Sequence, residues 1–172
     1  MQPKAENFTI TAWTLIVEAQ DLAKSVFHQK IETEHLFHVL LQQNDLIIKM
    51  LSRSKFSRAI LKKNLDNFIN KQPKLNKPSE SIYLGNSLNS LIEQADKTKS
   101  LFGDMFISID CLLIGLSKDN RCGKELLEKA GLDEKKILSI IKELRGNKKV
   151  STQNPEATFD SLQKYGRDLT VE

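Results

Sequence analysis

Glycine and proline are scarce, 7 and 4 of the 172 residues, too few to punctuate a protein built from many short strands. With abundant Leu, Ile, Lys and Glu, that scarcity favours an all-α fold. Only two cysteines, Cys111 and Cys122, are present. With no secretory signal they read as free thiols in a reducing compartment rather than as a disulfide framework. The start, Met1-Gln2-Pro3-Lys4-Ala5-Glu6-Asn7, lacks the basic-then-apolar pattern of an export signal. No apolar run approaches the roughly 18 residues a membrane span needs. A soluble, cytoplasmic protein is therefore expected. The net charge of +4 is too mild to require nucleic acid.

What is present is helical periodicity. From a Thr9 cap, Ala12, Leu15, Ile16, Ala19, Leu22, Ala23, Val26 and Phe27 recur at the three-and-four spacing of one buried face, widened by Trp13 and Val17. Thr33 is expected to cap a second helix carrying Leu36, Phe37, Leu40 and Leu41, with Glu34 in its first turn. Leu46, Ile47, Met50 and Leu51 mark a short third helix. Ser57 heads a fourth, with Ile60, Leu61, Leu65, Phe68 and Ile69. Residues 71–82, opening Lys71-Gln72-Pro73-Lys74, read as a linker.

The pattern then restarts. An offset of 75 lays Phe8 on Tyr83, Trp13 on Leu88 and Asp21 on Asp96. Beyond one turn the offset becomes 76, laying Ile31 on Ile107, Glu34 on Asp110, Leu40 on Leu116 and Leu65 on Ile141. A tandem duplication is the natural explanation. Repeat one covers about 8–70 and repeat two about 83–146, each of four helices, packed as a pseudo-twofold pair. The stretch from Leu101 to Leu113 repeats the helix–turn–helix stretch from Val26 to Phe37. There Gly103 suits a left-handed helix end, Ser108 a cap and Asp110 the first-turn acid. Residues 147–156 read as an exposed linker, followed by a short amphipathic stretch at Phe159, Leu162 and Tyr165.

Catalytic and metal motifs are weak. His35 and His38 stand one turn apart, with Cys111 as a conceivable third ligand, but a zinc site supplies four residues at recognised spacing. Packing histidines and no metal are the better reading. Gly123-Lys124 resembles the tail of a phosphate loop, yet Lys118 replaces the upstream glycine and Glu125 the Ser or Thr. Neither cysteine has a neighbour that would activate it. The lysines at 62, 63, 71, 74 and 77 lack interleaved aromatics, so a solvated face is preferred over nucleic-acid binding. Thr9, Asp104 and Asp110 remain. Capping alone accounts for each, and the functional alternative is that they rim an apolar groove between the repeats.

The duplicated unit, with Thr33-Glu34-His35-Leu36 and Phe106-Ile107-Ser108-Ile109-Asp110, resembles the Clp repeat domain found at the N-terminus of Clp AAA+ unfoldases. Phe68–Lys74, Tyr83-Leu84, Gly103–Ser108 and Tyr165-Gly166-Arg167-Asp168-Leu169-Thr170 resemble the ClpB-type disaggregases within that family. The resemblance implies a double Clp repeat domain over 1–146, with 147–172 as linker and start of the first AAA+ module. It implies a non-enzymatic module that binds unfolded or aggregated polypeptides, with Thr9, Asp104 and Asp110 as substrate-binding positions and Glu34 as a further acid. The fragment would be monomeric and need no cofactor. The parent would be a homohexamer using ATP and Mg in the absent modules and working with the Hsp70 system. Asp110 and Cys111 stand where the family usually has Glu and often has His. An alternative from the protease-partnered relatives is docking of adaptors or of phosphorylated arginine at Glu34 and Asp110. A small hydrolase built on Cys111 and a histidine is the enzymatic rival.

Overall fold

The structure, a computed structural model, describes residues 3–43, 49, 52, 58–146 and 148–154. Leu46, Ile47, Met50 and Leu51 of the expected third helix, the Ser57 cap and everything from Pro155 to Glu172 lie outside them. After a single turn at Ala5–Asn7 come α1 (Ile10–Ser25), β1 (Lys30–Ile31), α2 (Thr33–Gln43) and α3 (Arg58–Asn70). They are followed by β2 (Tyr83–Leu84), α4 (Asn86–Phe102), α5 (Ile109–Ser117), α6 (Gly123–Lys129) and α7 (Glu134–Arg145). The second repeat thus shows its four helices, α4 to α7. The first shows three among the described residues.

One continuous core joins the repeats. Within each, α2 packs on α1 and α3, and α5 on α4 and α7; between them, α1 meets α5, while α2 meets α4 and α6. The centre holds Leu36, Phe37 and Leu40 of α2 with Leu112, Leu113 and Leu116 of α5, all fully buried. Each such side chain contributes roughly 1.5–3 kcal/mol through burial. All of α5 except Asp110 is buried, as expected of a helix enclosed on every side.

The repeats are related by a constant offset of 76, with no inserted residue. The helix starts after Thr9 and Gly85, the left-handed residues Phe27 and Gly103, and the first residues of α3 and α7 all obey it. It lays buried Ala12, Leu15, Ile16 and Ala19 on buried Leu88, Leu91, Ile92 and Ala95. The 75 offset matches surface identities instead and sets exposed Val17 on buried Ile92. Helix ends explain why the turn misled. His28 N–H bonds the Ala23 carbonyl as Asp104 N–H bonds that of Lys99, so both helices close on a left-handed residue. In one repeat that residue is glycine. In the other it is Phe27, at φ 64.

Three further expectations change. Thr33 is the first residue of α2 rather than its cap, because its hydroxyl donates to Asp119 Oδ2 at 2.8 Å. Ser108 occupies the N-cap of α5 without a side-chain cap bond; its hydroxyl turns to Cys111 Sγ. Residues 148–154 are not a free linker, since Val150 is 2 % exposed. Thr9 and Asp133 do cap α1 and α7, accepting from Ala12 and Lys136 N–H.

Candidate functional site

Two short parallel pairings tie the entry of each repeat to the turn of the other. Phe8 bridges Ile107, and β1 pairs with β2 through Lys30 with Tyr83 and Ile31 with Leu84. The offset relates these two joints, so Thr9, Asp104 and Asp110 fall in one, and Glu34 in the other.

In the Thr9 joint, Thr9 is fully buried; its N–H donates to the Ile107 carbonyl at 2.9 Å. Asp104 does not cap a helix. Its wholly buried carboxylate accepts from Arg145 Nη2 at 2.6 Å and from Val150 N–H at 2.9 Å through the same Oδ1. Arg145 Nε lies 3.6 Å from Asp110 Oδ2, and the guanidinium sits 4.7 Å from the centroid of the Phe102 ring, a favourable stacking for arginine. The extended segment 148–154 crosses this group. Val150 C=O accepts from Met105 N–H at 2.7 Å, and Gln153 C=O from Ile10 N–H at 2.6 Å. The Lys149 side chain passes so near Gly103 that an added Cβ would lie 3.3 Å from its Nζ. Two polar atoms stay buried without a hydrogen bond, Asp104 Oδ2 and Arg145 Nη1. Ile10, Leu101 and Met105, flanking this joint in the chain, are exposed at 57, 84 and 65 %.

The Glu34 joint is filled differently. Glu34 is 1 % exposed, and Arg121 grips it with two bonds, Nε to Oε1 at 2.8 Å and Nη2 to Oε2 at 3.0 Å. The same guanidinium reaches Gln72 Oε1 at 3.1 Å and Glu32 Oε2 at 3.5 Å and lies over the Phe68 ring. Asp119 Oδ2 receives Cys122 and Gly123 N–H besides the Thr33 hydroxyl. Gly85, in the place of Thr9, makes room for Glu32, whose Oε1 would stand 1.5 Å from an added Cβ and accepts from Ser87 Oγ at 3.0 Å. The resemblance set Glu34 among the substrate acids. The structure places it in an inter-repeat contact, bonded through both oxygens to Arg121.

Histidines replace Asp104 and Cys111 in this second joint. His28 Nδ1 and His35 Nε2 are 2.8 Å apart. Glu32 N–H donates to His35 Nδ1, so Nε2 carries the proton and donates to His28. Both rings are neutral. Burial foremost, with the Arg121 charge adding to it and the cost of charging two adjacent rings, holds His35 down at about 4 against the pull of Glu34; burial likewise lowers His28. His38 faces Asp66 instead, at 3.4 Å, so the His35–His38–Cys111 metal grouping does not assemble. Among the described residues no three potential ligands converge, and no helix is long and apolar enough to cross a membrane. Burial raises the Cys111 thiol to about 11 and pushes Cys122 up as well, the opposite of nucleophile activation.

Arg121, Arg145 and Val150 escape sequence reasoning. An arginine in the last turn of a helix reads as a dipole partner, with no sign of a distant carboxylate. Val150 had one available signal, as the lone aliphatic side chain in the polar stretch 147–156.

Residues 7–130 match the family described as the Clp repeat (R) N-terminal domain. The chain is 44 % identical over 171 residues to chaperone protein ClpB 1 of Parasynechococcus marenigrum, and 46 % identical over 171 residues to chaperone protein ClpB 2 of Synechocystis. Both alignments cover 99 % of this chain and 20 % of the relative, so the chain spans about a fifth of their length. Among solved structures, the Hsp104 N-terminal domain of Candida albicans superposes with a TM-score of 0.76 at 22 % identity, covering 86 % of this chain and 97 % of that one. A complex of the ClpV N-domain with VipB peptide superposes at 0.60 and 15 % identity, covering 81 and 96 %. These two share the fold. On the family match and the 44–46 % identities, the chain belongs to the Clp repeat N-terminal domain family.

Proposed function

We propose that this domain is the client-binding module of a ClpB-type disaggregase, holding unfolded or aggregated polypeptide at the Thr9 joint. The observation that carries the reading is the half-bonded ion pair of the Thr9 joint. Asp104 Oδ2 and Arg145 Nη1 are both buried and unbonded, close in sequence to exposed Leu101 and Met105, whereas in the other joint both Glu34 oxygens are bonded and His28 Nε2 is left unbonded. A buried polar atom without a partner is costly, and a polypeptide main chain offers both the donor and the acceptor that these atoms lack. Apolar client side chains would add burial on Ile10, Leu101 and Met105. Ordering a floppy ligand keeps the affinity modest. Thr9, wholly buried, would act by shaping the joint, and Asp110 by direct contact.

The domain itself would be a binder rather than a catalyst, with no cofactor of its own. ATP and Mg would act in ATPase modules beyond this chain, in a cytoplasmic homohexamer cooperating with the Hsp70 system. Docking of phosphorylated arginine is less well supported, because Glu34 and Asp110 already face the internal guanidiniums of Arg121 and Arg145. The direct test is anisotropy of a labelled, reduced and unfolded test protein titrated with the domain. Asp110→Ala and Thr9→Ala should each weaken binding several-fold. Absence of binding, or variants that bind as the parent does, would refute the assignment.

A further inference from the structure

We propose that residues 148–153 are a built-in occupant of the Thr9 joint, and that an extended client segment with a β-branched or small aliphatic residue binds by taking their place. The inference rests on the client-binding reading above and names the ligand form that site accepts.

The segment is held as an extended peptide would be held. Most of its bonds to the joint use its main-chain atoms: Val150 N–H to Asp104 Oδ1, Val150 C=O from Met105 N–H, Gln153 C=O from Ile10 N–H and Lys148 C=O from Arg145 Nη2, with one long side-chain bond from Gln153 Nε2 to the Glu6 C=O. Only one side chain is sunk into the protein, Val150 at 2 % exposure. Ser151, Thr152 and Gln153 are exposed. Main-chain bonds with one apolar anchor constitute a site that reads conformation and accepts many sequences. The fit is incomplete, because one oxygen of Asp104 and one nitrogen of Arg145 stay unbonded beneath the segment. A client that satisfied them would gain bonds the internal segment does not make.

The other repeat shows what a permanent version looks like. By the 76 offset, 148–154 corresponds to 72–78. There Leu75 N–H bonds the Phe27 carbonyl, and the chain runs on into β2, where Tyr83 N–H bonds Gln29 C=O. Gln72 also holds Arg121. That copy is locked by the strand pairing that follows it. Residues 148–153 have no such pairing among the described residues, so they can leave while both repeats stay folded. Release would also free six residues, adding roughly 20 Å of reach to the chain beyond them.

Residue-resolved amide exchange on the 172-residue chain, alone and with saturating reduced, unfolded test protein, tests the displacement. In the free chain the amides of Val150, Met105 and Ile10 should all be slow. With client bound, Val150 should become fast while Met105 and Ile10 stay slow, their acceptors now supplied by the client. Val150→Asp, which expels the anchor, should tighten client binding about fivefold by removing the fraction of closed molecules. Client binding with Val150 still slow would overturn the inference and leave the client-binding reading standing. No client binding by the wild-type chain would remove that reading and the inference with it. If Val150→Asp fails to fold, the wild-type exchange pattern alone still distinguishes these outcomes.

Discussion

Two joints descended from one sequence are packed in different ways. Each brings the entry of one repeat against the turn of the other, and each sets a first-turn acid, Asp110 or Glu34, beside an arginine. The arginines come from different places. Arg145 ends the last helix of the same repeat, and its counterpart in repeat one is buried Ile69. The Glu34 joint therefore takes Arg121 from the other repeat. That borrowed residue makes Glu34 a cross-repeat pair with two good bonds, while Asp110 keeps a looser contact and remains 20 % exposed at its side chain. One joint is closed and stabilises the pair of repeats. The other keeps its own Phe8–Ile107 bridge and Asp104–Arg145 pair and is crossed by a short extended segment.

Breaking the closed joint should have the largest effect. Arg121→Met leaves the buried Glu34 carboxylate without its partner and should lower stability by about 4 kcal/mol, within the range for halving a buried pair. Chemical denaturation measures this. The surviving folded fraction should bind client normally, since the Thr9 joint is untouched.

The histidines sharpen the comparison next. The folded His35 titrates near 4 and an unfolded one near 6.5, so over that interval the unfolded chain binds more protons. Stability is then full above about pH 6.5 and falls as the pH drops toward 4, by on the order of 3 kcal/mol. Denaturation midpoints across pH 4–7 test the sign. His35→Cys, which copies Cys111 of the other joint, should remove most of the slope.

The turns give a smaller contrast. Gly103→Ala places a side chain at φ 72 and should cost about 1 kcal/mol in strain. Phe27 already bears that strain at φ 64, so Phe27→Asn should be close to neutral. Smallest of all, Asp110→Asn should change stability by no more than about 0.5 kcal/mol, as for a partly exposed pair, yet weaken client binding measurably. Thermal melts and the anisotropy titration read these two out together.

Helices, the duplication and the capping roles of Thr9 and Gly103 were legible because each depends on local periodicity or on one residue type at one backbone position. The repeat register was misread by one residue because Glu18 and Glu93, or Lys24 and Lys99, are surface identities. Burial, which discriminates, has to be seen in three dimensions. Thr9, Asp104 and Asp110 could be singled out as polar residues at helix starts and turns, but a substrate role for them came only through family resemblance. Their surroundings could not be read at all. Arg145 stands 41 residues from Asp104 and Arg121 stands 87 from Glu34, and no pattern in a single chain announces such pairs. Glu34 and Asp110 look alike in sequence for the same reason. What separates them is which arginine arrives.

The central claim is that the Thr9 joint, and not its twin, receives client. Mapping backbone amide shifts of the full chain during titration with a reduced, unfolded test protein tests it directly. Perturbations are expected at Thr9, Ile10, Met105, Asp110 and Val150, with Glu34, Asp119 and Arg121 unmoved. Perturbations centred on Glu34 and Arg121 would contradict it.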